Sequence, residues 1–231
     1  MRGKERRRHE IDEGGVRLPT FLRMNMNIVN ETTYPVLSAI TGRWSPYRFL
    51  DQPVGNHELC CCLEAARWAS SSYNDQPWFW VVAKKEEQQR FEVMVRCLLE
   101  PNRCWAATAG VLLLSVMRTS LKHNHQPNPV ALHDLGQASA HFALQASELG
   151  LQVHQMGGIN RSFTRHTLAI PEGFEPCTIS AIGYPDLGDP QTQKDKEHAR
   201  RQAASRRRKD LVSCVFGGSW GETAQAVTKT V

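Results

Sequence analysis

A chain of 231 residues with 41% apolar side chains is long enough for one compact domain with tails and a sizeable core. Its formal net charge of +5 is uneven: residues 1–23 hold seven Lys/Arg against four Asp/Glu, residues 194–209 hold eight against two, and the body between is mildly acidic. That excludes the basic, aromatic-flanked stripe of a nucleic-acid binder, so nucleic acid is not an expected partner, and no apolar run nears the roughly 18–20 residues of a membrane span.

Residues 1–23 show no periodicity and are expected to be disordered or an over-extended reading frame, with translation starting at Met24 or Met26. The first plausible helix covers Val36–Ile40. From His57 to Ala69 the apolar residues Leu59, Cys62, Leu63 and Ala66 recur at helical spacing. The aromatic and β-branched run Trp78–Ala83 predicts a strand, and Lys84 to Leu99 returns to helix, broken by Pro101-Asn102. Trp105 leads through small residues into a buried strand at 111–117. Asp134 reads as the N-cap of a long helix through Leu149, closed by Gly150. Thr178–Pro185 predicts another strand. Residues 186–205 read as a polar surface segment or linker, and Val212–Phe216 as a last short strand or extended arm. Few strands among long helices favour a layered α/β or α+β fold.

Seven cysteines, three adjacent at Cys60–Cys62, make no disulfide framework, and no CxxC spacing supports zinc. Reduced thiols in a cytoplasmic protein are expected. No GxSxG, HExxH, Walker A or GxGxxG run appears, so no catalytic pattern for hydrolysis is present, and His123, His125 and His133 have no acidic partner at ligand spacing, so no metal site is expected.

Four segments remain. In an extended Gly42–Phe49, Arg43, Ser45 and Tyr47 share one face, a guanidinium and two hydroxyls suited to a phosphate monoester; taken alone, Arg43 is equally a surface arginine near a turn. Ala69-Ser-Ser-Ser-Tyr-Asn-Asp-Gln-Pro-Trp78 offers many neutral hydrogen-bonding groups and almost no charge, suited to a flat polar ring; alone it is equally a helix C-terminal loop. Gly157-Gly158 allows a close backbone approach to a ligand, or is simply a loop after a helix. Arg206-Arg207-Arg208-Lys209 is a solvated tail or a second source of guanidinium for a phosphate.

In this order, Arg-x-Ser, Ser-Ser-x-Asn-x-Gln-Pro-Trp, a paired-glycine loop after a long helix and a basic pair near the end resemble the FMN-dependent nitroreductase family, over roughly residues 34 to 222. Asp134-Leu-Gly-Gln-Ala138 and Leu149-Gly-Leu151 also look like that family. The resemblance implies a three-layer α/β/α fold of α+β class with a central mixed sheet. It implies an FMN-binding domain at 24–222 with a tail at 223–231, and an intertwined homodimer with FMN at the subunit interface. By the resemblance, Arg43, Trp44, Ser45, Tyr47, Arg206 and Arg208 match phosphate and ribityl ligands. Ser70, Ser71, Ser72 and Asn74 match a segment reaching the partner's flavin. Gln155, Met156, Gly157 and Gly158 match the loop beside the ring, and Asn102 matches a ring-contacting carboxamide. The implied activity passes hydride from NADH or NADPH through FMN to a nitroaromatic, quinone or activated alkene, with the chemistry carried by the cofactor. The alternative is a flavin-binding protein with little or no turnover. Two departures motivate it: Tyr47 stands where the family has Arg or Lys, with Arg48 able to substitute only through a local bulge, and Ser70 stands where proline is frequent.

Overall fold

The computed structural model describes residues 30, 32–204 and 206–228. The expectations for residues 1–23 and for a start at Met24 or Met26 lie outside these residues, as does the end of the tail.

Four strands, β1 (Trp78–Lys84), β2 (Val111–Arg118), β3 (Gln152–Met156) and β4 (Phe174–Gly183), form a sheet in the order β1-β2-β4-β3. The α+β class is as expected, but every ladder among the described residues is antiparallel, where a mixed sheet was expected. The connections explain this. Two helices, α3 (Gln88–Cys97) and α4 (Glu100–Ala106), separate β1 from β2 and return the chain in the opposite direction. The long helix α5 (Ala131–Glu148) carries the chain from β2 to β3, which run the same way, but β4 fills the place between them. Central β2 is buried on both sides at residues 111–116, which is why it reads as an unbroken apolar run. Its register with β4 slips between Ser115 and Val116, leaving Cys177 as the extra residue; Pro176, with no N–H to give, sits at that bulge.

Helices cover both faces of the sheet. On one, Phe91, Met94 and Cys97 of α3 and Trp105 of α4 pack with Ala83, Leu112, Leu114, Val116 and Ile179. On the other, Leu59, Cys62 and Ala66 of α2 (Asn56–Arg67) and Leu135, Ala138, Phe142 and Ala146 of α5 pack with Val111, Leu113, Val153 and Ile182. No described helix is long and apolar enough to cross a membrane. All seven thiols are unpaired; helix α2 leaves Cys60 exposed and Cys61 half-buried, and burial pushes the Cys62 thiol up to about 12.

Several boundaries differ from expectation. The first helix, α1, is Ser38–Gly42. Lys84 still pairs with Val111, so helix α3 waits until Gln88. Pro101 does not simply end a helix: it opens α4, in the first turn, where a missing N–H costs nothing. Helix α5 begins at Ala131, with Asn128 Oδ1 accepting from the Val130 amide; Asp134 lies inside its first turn. Gly150 closes it as expected, with φ +80°. Strand β4 starts at Phe174. Strand β3 and helix α6 (Arg161–Thr167) were not anticipated, nor was α7 (Gln193–Ala203) within the supposed linker. The short strand or extended arm expected at 212–216 is a short 3-10 turn, Leu211–Ser213, followed by a single bridge from Phe216 to Thr223.

Candidate functional site

Between α1 and α2 the chain runs extended, and burial alternates as the sequence implies: Trp44, Pro46 and Arg48 are buried, Arg43, Ser45 and Tyr47 half-buried. Edge strand β3 fixes this segment through side chains. The buried Gln152 carboxamide accepts from the Trp44 N–H at 3.0 Å and donates to the Gly42 carbonyl at 3.1 Å. His154 Nδ1 lies 2.8 Å from the Pro46 carbonyl, which only accepts, so that nitrogen carries the proton. Burial, aided by the Arg43 charge, lowers the His154 pKa against that bond and keeps the ring neutral.

Three guanidiniums gather at this segment. Arg206 Nη1 donates to the Arg43 carbonyl at 3.4 Å, and its guanidinium lies 6.0 Å from the centre of the Trp44 ring. Burial lowers the Arg43 pKa and the Arg208 charge lowers it further; burial does the same to Arg206, followed by the charges of Arg43 and Arg208. Among the described residues no carboxylate lies within ion-pair distance of Arg43 or Arg208. Like charges crowded together and partly buried favour an anion between them. Beside them a cavity of ≈ 390 Å³ is lined by Arg43, Ser45, residues 153–155 of β3, and Gly136, Ala140, Ala143 and Leu144 of α5. A Cβ on Gly136 would meet nothing within 4 Å, so packing within the chain does not demand glycine there. Arg206, Arg207 and Arg208 line instead a wider groove of ≈ 1370 Å³ along residues 32–34.

Tyr47 and Arg48 do not add to this grip. The Tyr47 ring packs against Trp105 and His154, with centroids at 5.1 and 4.7 Å, and stacks on His198 of α7 at 5.8 Å; it does not line the cavity. Arg48 is buried, pairs with Asp186 and donates to the Gly188 carbonyl at 2.8 Å. No bulge brings it round, so the charge missing at Tyr47 is not replaced from Arg48.

The Ser-rich segment meets α5 at Asp134 and Gln137 and does not line the cavity. Ser70 Oγ donates to Gln137 Oε1 at 2.7 Å, and the Ser72 amide to the buried Asp134 carboxylate at 3.1 Å. Gln137 is one residue from cavity-lining Gly136, about 100° around the helix. Ser71 Oγ accepts from the Gln76 amide, and the Gln76 side chain donates to Asn74 Oδ1 at 3.2 Å. Tyr73, Asn74 and Gln76 all have left-handed backbone, φ 54°, 52° and 48°. Asp75 anchors the turn: its carboxylate accepts from the Lys122 amide and from Arg118 Nη2, each at 2.7 Å.

After β3 the chain leaves the sheet at Gly157-Gly158. Met156 is core, Gly157 is open on the side a Cβ would occupy, and a Cβ on Gly158 would come within 2.9 Å of Asn102 Nδ2. The Leu99 amide donates to the Gly158 carbonyl at 2.9 Å. Asn102 and the glycine pair, distant in sequence, thus meet, and Gln155 joins them to the cavity along β3.

Gln152, Asp75, Asp134, His154 and the α7 residues His198 and Gln202, the last accepting from the Tyr47 amide at 3.1 Å, were not singled out as site residues from sequence. One signal was available for α7: Thr192 and Asp195 form a reciprocal capping box, readable as Thr-x-x-Asp.

The model of the nitroreductase family matches residues 40–184. A solved structure of an FMN-containing oxidoreductase is 32% identical, with a TM-score of 0.75 over 84% of this chain and 97% of its own. A nitroreductase family protein from Clostridium difficile 630 shares the fold at 20% identity, with a TM-score of 0.60 over 78% and 96% of the two chains. A protein of Archaeoglobus fulgidus named "Putative NADH dehydrogenase/NAD(P)H nitroreductase" is 25% identical over 155 residues, 64% of this chain and 84% of that protein. The fold, the matched span and the 32% identical structure place the chain in the nitroreductase family.

Proposed function

We propose that the chain is an FMN-dependent oxidoreductase that draws reducing equivalents from NADH or NADPH and delivers them to a small oxidised acceptor: a nitroaromatic, a quinone or an activated alkene. The observation that carries this reading is the convergence of Arg43, Arg206 and Arg208, with Arg43 lining the ≈ 390 Å³ cavity and Arg206 and Arg208 lining the wider groove. That donor set fits a phosphate monoester. The FMN of the 32% identical structure and the nicotinamide nucleotides in the archaeal relative's name support the same cofactors here.

In this reading Arg43, Arg206 and Arg208 hold the phosphate, Ser45 offers a hydroxyl to the ribityl chain, and Trp44 contributes backbone. Gln155, Gly157 and Gly158 border the ring, with Gly157 leaving backbone open and buried Met156 supporting them from the core, and Asn102 supplies a carboxamide. Bound FMN supplies the redox chemistry, accepting two electrons from the nucleotide and releasing them to the acceptor. The protein's share is to anchor the phosphate, orient the ring and aim N–H groups where negative charge develops. Ser70–Asn74 line no part of the cavity within one chain; in this reading a second copy of the chain bringing its own Ser70–Asn74 would complete the site, making the homodimer a condition of function. Seven unpaired thiols fit a reducing compartment such as the cytoplasm.

A second reading, a flavin-binding protein with little turnover, is favoured by the phosphate grip lacking a cation at Tyr47. The Ser70 departure weighs less, since its hydroxyl supplies a tie to Gln137 that proline would not. The absorption spectrum of the purified protein, followed by NADH or NADPH oxidation with menadione or nitrofurazone, separates the readings. A yellow protein bleached by either nucleotide and reoxidised by acceptor supports the enzyme. A yellow protein that neither nucleotide reduces supports the second reading, and a chain that takes up no FMN refutes both.

A further inference from the structure

Helix α7 buries no side chain of its own. The residues it half-shields from solvent are Asp195, His198, Ala199 and Gln202, which recur at i, i+3, i+4 and i+7 and so share one face. That face meets Tyr47. The His198 ring stacks on the Tyr47 ring at 5.8 Å, 10° from parallel, and the Arg201 guanidinium lies 5.8 Å from the Tyr47 ring centre. Gln202 accepts from the Tyr47 amide and donates to the Asp186 carbonyl, each at 3.1 Å. On its other sides the Tyr47 ring packs edge-on against buried Trp105 and against His154. The ring is thus a wedge between the core and a polar helix. Three residues past the end of that helix stands Arg206, which reaches the Arg43 carbonyl, and two further on stands Arg208, whose charge acts on both. Three residues span at most about 10 Å, so Arg206 cannot take its place independently of where α7 docks.

We propose that Tyr47 is a positioning residue for the anion site: its ring seats α7, and the seated helix brings Arg206 and Arg208 to Arg43. The inference rests on the function proposed above, in which these arginines hold the FMN phosphate. Tyr47 then serves the phosphate without touching it. A helix with no buried side chain has little else to fix it, so loss of one aromatic stack shifts its docking.

The test titrates full-length wild type, Tyr47→Leu, Tyr47→Phe and His198→Ala with FMN and with riboflavin, which has the same ring and no phosphate, and reads flavin fluorescence. Leucine keeps apolar bulk against Trp105 and removes the stack; phenylalanine keeps the stack. Tyr47→Leu should raise the FMN dissociation constant by about tenfold and that of riboflavin by less than about twofold. Tyr47→Phe should match wild type. His198→Ala, a change confined to the surface helix, should show a smaller loss for FMN alone. With Arg206 and Arg208 both replaced by alanine, adding Tyr47→Leu should cost less than about twofold. Amide exchange over residues 193–203 should quicken in Tyr47→Leu while that of β2 stays as in wild type. Equal losses for FMN and riboflavin, no loss for FMN, a loss that persists without the two arginines, unchanged exchange over α7, or a Tyr47→Phe protein as poor as Tyr47→Leu would overturn the inference alone. A wild type that holds FMN no more tightly than riboflavin would overturn the phosphate grip of the proposed function and this inference together.

Discussion

Replacing Asp75 with alanine tests whether the Ser-rich turn is held under strain by one buried carboxylate. That side chain is 1% exposed and accepts from the Lys122 amide and Arg118 at 2.7 Å, with a longer 3.5 Å contact from Asn128. Removing one partner of a buried ion pair costs about 3–5 kcal/mol. Two effects offset it. Arg118 is 17% exposed and keeps the Ser120 carbonyl at 2.8 Å, so its charge is not stranded. One left-handed residue released by the change also regains about 1–2 kcal/mol. A net loss of about 1–4 kcal/mol at pH 7 follows. Burial raises the Asp75 pKa, but the Lys122, Arg118 and Asn128 bonds outweigh it and hold the group below its ordinary 3.8. A carboxyl lowered on folding stabilises the fold fully above its unfolded pKa and loses that contribution as pH falls through the folded one. The gap between wild type and Asp75→Ala in urea unfolding should therefore be constant from pH 7 to about 5 and shrink below pH 4. A gap under about 1 kcal/mol at pH 7, or one that acid leaves unchanged, would refute the anchoring argument.

Gln152→Ala should destabilise by about 2–4 kcal/mol, because it strands the Trp44 amide and the Gly42 carbonyl, and should weaken FMN binding measured by flavin fluorescence. Arg208→Ala should raise the FMN dissociation constant by about tenfold or more while leaving the oligomer intact by size exclusion; unchanged retention would shift the phosphate role to Arg206 or Arg207. Thr192→Ala removes half of the capping box and should cost about 1 kcal/mol in thermal unfolding, loosening α7 where His198 and Gln202 meet Tyr47. Gly158→Ala should be tolerated in stability to within about 1–2 kcal/mol, since the obstructing atom ends the Asn102 side chain; in an FMN-loaded crystal structure the Asn102 amide should be seen displaced.

The elements with strong periodicity were readable in the sequence: α2 from Leu59, Cys62 and Ala66, and β2 from its double burial. Strand β3 escaped because its five residues, Gln-Val-His-Gln-Met, break the strict alternation of a strand and follow directly on Gly150-Leu151, so they read as loop. Helix α7 escaped because its composition is almost wholly polar and only its cap announces it. The site divides in the same way. Arg43 and Ser45 declared themselves by spacing in an extended segment, and the arginine run by its charge. The supports Gln152, Asp75 and Asp134 did not, because a buried carboxamide or carboxylate is indistinguishable in sequence from a surface one until its partners are known.

Among the described residues, strand β3 has a ladder neighbour on one side only. The segment from Gly42 to Pro46 that runs against it is tied by the Gln152 and His154 side chains and is not a fifth strand. A sheet margin left with unpaired N–H and C=O groups is a template for other chains, and folded proteins keep such margins covered. The strap that presents Arg43 to an anion thus lies where it can also guard this margin. Variants that slacken it should show self-association on warming as well as poorer flavin retention, so solubility and cofactor content should fail together.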